Sequence, residues 1–213
     1  MPDAVCFDND GLLLDTESAW TRAEVVLFDR HGSAFSDEHK RYLIGSSREV
    51  AEAKLEELLG APGRGVALMD ELHELVMAEA ARGVEPMPGA VALLDALRAA
   101  GTPVALVSNS VRDFVELTLA TAGVRDRFEV VLAREDVADA KPAPDLYLAG
   151  CAALGAEPAR SVGLEDTETG VAAVRAAGLF AIGVPSFPGV SLDAADLVAV
   201  SLADAAVHRA VGL

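Results

Sequence analysis

Asp8 and Asp10 stand two residues apart in the stretch CFDNDGLLLDTE, residues 6–17, directly after a short apolar run. Two carboxylates at the end of a buried strand are costly without partners. A cation, a reacting group or both should meet them. Three further places carry residues of complementary chemistry: Ser108 with Asn109, Lys141 in AKPAPDLY, and Glu165 with Asp166 in GLEDTETG. Several carboxylates in one cleft repel, so a hard divalent cation is expected, and Mg²⁺ accepts one or two carboxylates plus water and phosphate oxygens. Asp8 has the placement of a nucleophile that forms an aspartyl-phosphate. Asp10, where the chain turns, can protonate a leaving oxygen and then activate water. Lys141 can offset charge on Asp8 and on phosphoryl oxygens, and Ser108 can donate to those oxygens.

Each piece alone has a plainer explanation. D-x-D-G is commonly a turn, Lys141-Pro142 a surface loop, and Asp166-Thr167 a helix cap. A calcium loop is a further alternative. With Gly11 at its sixth position, Asp8, Asp10 and Glu17 would fall at positions three, five and twelve. Cys6 would then stand at position one, and no helix has room to enter before it.

The elements that must position these residues form an alternating series. A strand is expected over 4–7, followed by a helix over 17–31. Ser46 and Glu49 make a capping box for a helix ending at Gly60. Another amphipathic helix spans 66–82. Residues 17–83 therefore read as purely helical, and EPMPGA at 85–90 reads as a linker. Beyond it, helices over 90–100, 111–122, 145–154, 169–177 and 202–209 alternate with strands over 103–107, 129–132, 161–164, 180–184 and 196–200. That order predicts an α/β fold with a parallel sheet and right-handed crossovers. The core is expected at 1–15 and 88–213, with an inserted helical cap at 16–87. In such a sheet, ligands bind beyond the carboxyl ends of the strands. Asp8, Asp10, Ser108, Asn109, Lys141, Glu165 and Asp166 all fall at those ends, which brings them to one site.

Composition bounds the partners. The chain has 213 residues, 52% of them hydrophobic, and a net charge of −17. Such a field repels nucleic acid and anionic membranes, so neither is expected as a partner. An anionic substrate needs local positive charge in its pocket. Cys6 and Cys151 read as buried reduced thiols. His31, His39, His73 and His208 lack ligand spacing. No signal peptide or membrane span is recognisable, so a cytoplasmic location and a monomer are the default expectations.

FDNDGLLLDTE, Ser108, Lys141 in AKPAPDLY and GLEDTETG together resemble the four motifs of the haloacid dehalogenase superfamily, and within it the β-phosphoglucomutase-like sugar phosphatases. The resemblance covers essentially the whole chain. It implies a Rossmann-like core, a helical cap that selects substrate, and Mg²⁺-dependent phosphoryl transfer. It further implies metal ligation by the side chains of Asp8 and Asp166 and the backbone carbonyl of Asp10, supported by Glu165. Dehalogenation would need no second aspartate at Asp10. In resembling mutases a histidine stands at the position of Trp20 and a lysine at that of Val111. Both departures favour a phosphatase acting on a small phosphorylated metabolite, with a β-phosphoglucomutase-type activity as the alternative. Arg48 in GSSRE (45–49) is similar to a cap arginine that contacts substrate. Glu17 and Asn109 are further candidate substrate contacts, and Arg112 a weaker one.

Overall fold

The computed structural model describes residues 1–43, 46, 48–187 and 189–213. The chain divides into two units, one of residues 1–15 with 84–213 and one of residues 16–83.

The first unit is built on β1 (Val5–Phe7), β2 (Val104–Val107), β3 (Val130–Leu132), β4 (Val162–Glu165), β5 (Phe180–Gly183) and β6 (Leu197–Val198). They form one sheet in the order β3-β2-β1-β4-β5-β6, and every pairing is parallel. This is the doubly wound order, so the chain reverses its direction of progress across the sheet beside β1. Val5, Cys6 and Phe7 are fully buried, as a strand covered on both faces requires. Cys6, Ala105 and Val107 pack with Leu146, Tyr147, Cys151 and Val174 in one apolar cluster. Cys6 and Cys151 are free thiols within it.

The helices of this unit follow the expected pattern closely. They are Ala90–Ala100, Arg112–Thr121, Asp145–Leu154, Glu168–Ala176 and Ala205–Ala210. Thr167 caps the fourth of them by accepting from the Gly170 N–H at 3.1 Å.

The segment 85–87 differs from its sequence reading as a linker. Leu14 and Pro86 form an antiparallel bridge. Asp15 N–H donates to Glu85 at 2.9 Å and Met87 N–H to Leu13 at 2.8 Å. These bonds draw the segment into the sheet-bearing unit, so the return falls at Val84 rather than at residue 88.

The second unit holds α1 (Thr16–Arg30), α2 (Asp37–Leu43), α3 (Arg48–Leu59) and α4 (Gly65–Ala80). Ala19, Ala23 and Leu27 of α1, and Leu68, Leu72 and Val76 of α4, recur at four-residue spacing and are buried. Phe28 packs edge-on against Phe35, with ring centroids 5.0 Å apart, and stacks with His39 at 5.0 Å. The expected capping box before α3 pairs Ser46 with Glu49, both described, while Gly45 and Ser47 lie outside the described residues. Ser46 Oγ accepts Lys54 Nζ at 2.9 Å. Among the described residues, no helix is long and apolar enough to cross a membrane.

Candidate active site

The parallel ladder continues one residue past two of the central strands. Asp8 N–H donates to Leu164 at 3.1 Å and Ser108 N–H to Leu132 at 3.0 Å. Sheet hydrogen bonding thus fixes the backbone from which the Asp8 and Ser108 side chains leave the strands.

Lys141 reaches into this place from the loop after β3. Its Nζ sits 2.5 Å from Asp8 Oδ1, 2.9 Å from the Val107 carbonyl and 2.7 Å from Glu165 Oε1. An ammonium has three N–H donors, and three acceptors surround it. Asn109 anchors the loop from both sides. Its Oδ1 accepts Lys141 N–H at 2.9 Å, and its Nδ2 donates to the Lys141 carbonyl at 3.2 Å. Asn109, expected as a substrate contact, also braces Lys141.

Asp10 has a different set of partners. Its Oδ2 accepts the Ser108 hydroxyl at 2.9 Å and the Ser110 hydroxyl at 2.8 Å, and Asn9 Nδ2 lies 3.3 Å from Oδ1. Ser108 Oγ also accepts Ser110 N–H at 2.9 Å. Both residues of the D-x-D pair are thus held, by different strand ends and with different partners.

Glu165 and Asp166 complete the group. Tyr147 O–H donates to Glu165 Oε1 at 2.6 Å, and Ser186 O–H to Asp166 Oδ2 at 2.6 Å. Glu165 lies against Gly170, where a Cβ would come within 1.9 Å of its carboxylate. Gly11 makes a similarly close approach. A Cβ there would lie 2.4 Å from Asp166 Oδ2, and its φ of +79° is one that glycine adopts readily.

Asp8, Glu165 and Asp166 each offer an oxygen within 4.8 Å of the others, and all three are buried. The three carboxylates face a single lysine. Burial pushes Asp8 well above the usual carboxylate range. Lys141 pulls it down, and the Glu165, Asp166 and Asp10 charges push it further up. Burial would lower Lys141, but Asp8 and Glu165 outweigh it and hold the ammonium above the ordinary lysine value. Asp166 is raised to about 7, chiefly by burial and then by Glu165. Buried oxygens that retain protons so tightly are short of positive charge, and their hard-oxygen chemistry fits Mg²⁺.

A stability consequence follows from Asp166. Its folded pKa exceeds its unfolded value, so the folded chain holds the proton more tightly from about pH 4 to about 7. Stability from this group is complete below that window and is lost as pH rises through it. Chelator-treated protein is expected to melt at a lower temperature at pH 8 than at pH 5.5. Added Mg²⁺ should raise the midpoint more at pH 8. Equal Mg²⁺ effects at the two pH values would contradict the Asp166 assignment.

The structure brings together Asp8, Asp10, Ser108, Asn109, Lys141, Glu165 and Asp166. Glu17 and Arg48 belong to the helical unit and have partners there. Glu17 pairs with Lys40 at 2.8 Å, and Lys40 also holds the buried Glu24 at 3.0 Å. Arg48 pairs with Glu52 at 3.0 Å and Asp70 at 2.5 Å. Arg112 pairs with Asp136 in the sheet-bearing unit. Three site residues escaped sequence reasoning: Ser110, Tyr147 and Ser186. Ser110 and Ser186 stand at the ends of β2 and β5, where reading every strand end through its following turn would have found them.

Residues 2–178 match the haloacid dehalogenase-like hydrolase family. The chain is 34% identical over 182 residues to a validoxylamine A 7'-phosphate phosphatase of Streptomyces hygroscopicus subsp. limoneus, covering 84% of this chain and 83% of that one. It is 33% identical over 210 residues to a β-phosphoglucomutase of Mycobacterium bovis, covering 84% and 79%. The crystal structure of CbbY from Rhodobacter sphaeroides in complex with phosphate superposes with a TM-score of 0.81 at 28% identity, covering 96% of both chains. Asp8, Ser108, Lys141 and Asp166 all lie within the matched residues 2–178, and the chain belongs to the haloacid dehalogenase-like hydrolase family.

Proposed function

We propose that this chain is a Mg²⁺-dependent phosphatase that hydrolyses a small phosphorylated metabolite, a sugar phosphate in class. The observation that carries the reading is the buried contact of Lys141 Nζ with Asp8 Oδ1, beside the oxygens of Glu165 and Asp166. Lys141 fixes one oxygen of Asp8, and the other can face an incoming phosphorus.

Asp8 and Asp166 would hold the cation with the Asp10 carbonyl, supported by Glu165. When bound, the cation neutralises carboxylate and phosphoryl charge so that an anionic ester can approach. Asp8 attacks phosphorus, a new O–P bond forms, and the ester O–P bond breaks. Asp10 gives its proton to the departing alcohol. It then takes a proton from water as that water attacks the aspartyl-phosphate, releasing inorganic phosphate and regenerating Asp8. Ser108 and Ser110 orient the Asp10 carboxylate through its Oδ2. Arg48 and Glu17 of the helical unit would contact the substrate.

The similarity to a β-phosphoglucomutase supports a second reading, transfer between two hydroxyls of one sugar. Trp20 and Val111, in place of a histidine and a lysine, weigh against it. Phosphate release from a panel of sugar phosphates, with Mg²⁺ and with chelator, separates the two. Mg²⁺-dependent release from at least one ester is the expected result. Conversion of glucose 1-phosphate to glucose 6-phosphate without net release, given a bisphosphate primer, would establish the mutase instead.

A further inference from the structure

Each carboxylate of the buried cluster has one oxygen taken by the protein. Lys141 occupies Asp8 Oδ1 at 2.5 Å. Lys141 and Tyr147 occupy Glu165 Oε1 at 2.7 Å and 2.6 Å. Ser186 occupies Asp166 Oδ2 at 2.6 Å. Gly11 makes room for that same Asp166 oxygen, since a Cβ built there would stand 2.4 Å away.

The pattern bears on the kind of cation the cluster accepts. Ca²⁺ takes six to eight oxygens and readily binds a carboxylate through both of its atoms. Mg²⁺ demands octahedral geometry at shorter distances, and single carboxylate oxygens plus water satisfy it. At Asp166 the oxygen that holds the serine hydroxyl is the less available of the two, which favours ligation through the other alone.

We propose that Ser186 is a specificity-determining residue for the cation. By occupying Asp166 Oδ2 it confines Asp166 to single-oxygen ligation and biases the site toward Mg²⁺ and against Ca²⁺. The inference rests on the reading of the cluster as a divalent-cation site. Ser186 touches no reacting atom and acts through Asp166, so it is a positioning residue. It stands on the turn after β5, apart from the loops that carry Asp8 and Lys141. Gly11 leaves room for this contact, since a Cβ built there would stand 2.4 Å from Asp166 Oδ2 and 3.1 Å from Ser186 Oγ. Loss of the hydroxyl frees Oδ2 to join Oδ1 on a larger ion.

The test is calorimetric titration of chelator-stripped protein with Mg²⁺ alone and Ca²⁺ alone, at one pH, for the wild type, Ser186→Ala and Ser186→Thr. Partners of metal ligands typically alter affinity about 10–100-fold. The Ca²⁺ affinity relative to Mg²⁺ is expected to rise about tenfold in Ser186→Ala, the low end of that range. Ser186→Thr, which keeps the hydroxyl, should restore the wild-type ratio. A ratio unchanged in Ser186→Ala, including an equal loss of both ions, would overturn the proposal and leave the cation site standing. Threonine behaving as alanine would overturn the role of the hydroxyl. A wild type that binds neither ion would remove the cation site itself.

Discussion

Asp8→Asn is expected to lower turnover on the order of 10⁴-fold or more, the scale seen when a reacting side chain is removed. The fold should survive. Lys141 keeps the Glu165 oxygen at 2.7 Å and the Val107 carbonyl at 2.9 Å, so its ammonium retains a carboxylate partner. Asn matches Asp in size and removes a charge whose burial already costs the folded state. A melting temperature close to the wild type, with no phosphoenzyme trapped on acid quench, is the predicted pair of results. Near-normal turnover in that variant would remove Asp8 as the nucleophile.

Lys141→Met should act on stability as strongly as on rate. Asp8 and Glu165 would keep their burial and lose their only cationic partner among the described residues. Breaking a buried pair by removing one partner costs about 3–5 kcal/mol. For a chain of this size that corresponds to a fall in melting temperature of roughly 6–20 °C. The loss should be largest in chelator at pH 8 and smaller at pH 5, where Asp166, raised to about 7 by burial, takes up a proton. A cation added at pH 8 should recover part of the stability, while catalysis stays low. A midpoint within a degree or two of the wild type would mean that Lys141 is not the buried counter-charge.

These outcomes depend on side chains whose legibility in the sequence was uneven. Asp8 and Asp166 could be read because each follows an apolar run too short for anything but a strand. Charge at such a place needs an explanation. Lys141 was legible through its complementary sign and its proline-rich loop. Tyr147 was hidden by its setting, since it lies on the apolar face of Asp145–Leu154 and reads as core, which it also is. Its hydroxyl matters because Glu165 is within reach, and reach across 18 residues is a property of the crossover, not of either segment. Ser186 sits in Pro185-Ser186-Phe187, which has the composition of any turn.

The helical unit shows the same contrast. Helices α1, α3 and α4 carry apolar residues at three- and four-residue spacing. Asp37–Leu43 carries only Tyr42 and Leu43, so no stripe marks it. It is ordered instead by the buried pairing of Lys40 with Glu17 and Glu24, and by Ser36 Oγ, which accepts the His39 N–H at 3.3 Å. The segment 85–87 failed as a linker for a related reason. Proline and glycine report that a chain turns, but not that its neighbours on either side will bond to a distant segment. Asn109 was placed at the right strand end, but its bonds to the Lys141 backbone were not legible, because an amide beside a lysine loop can bond backbone as well as substrate.

The bridge between Leu14 and Pro86 has a consequence for how this chain can be taken apart. The two points where the polypeptide leaves and re-enters the sheet-bearing unit lie side by side, joined by backbone bonds from Asp15 to Glu85 and from Met87 to Leu13. None of those bonds uses a residue between 16 and 83. The helical unit therefore hangs from a closed clasp, and whatever is threaded between Asp15 and Val84 need only begin and end a few ångströms apart. In a clasp of this kind the helical segment is an exchangeable cassette. Cassettes of different length or helix number could be grafted there while Asp8, Lys141 and Asp166 stay where the sheet puts them.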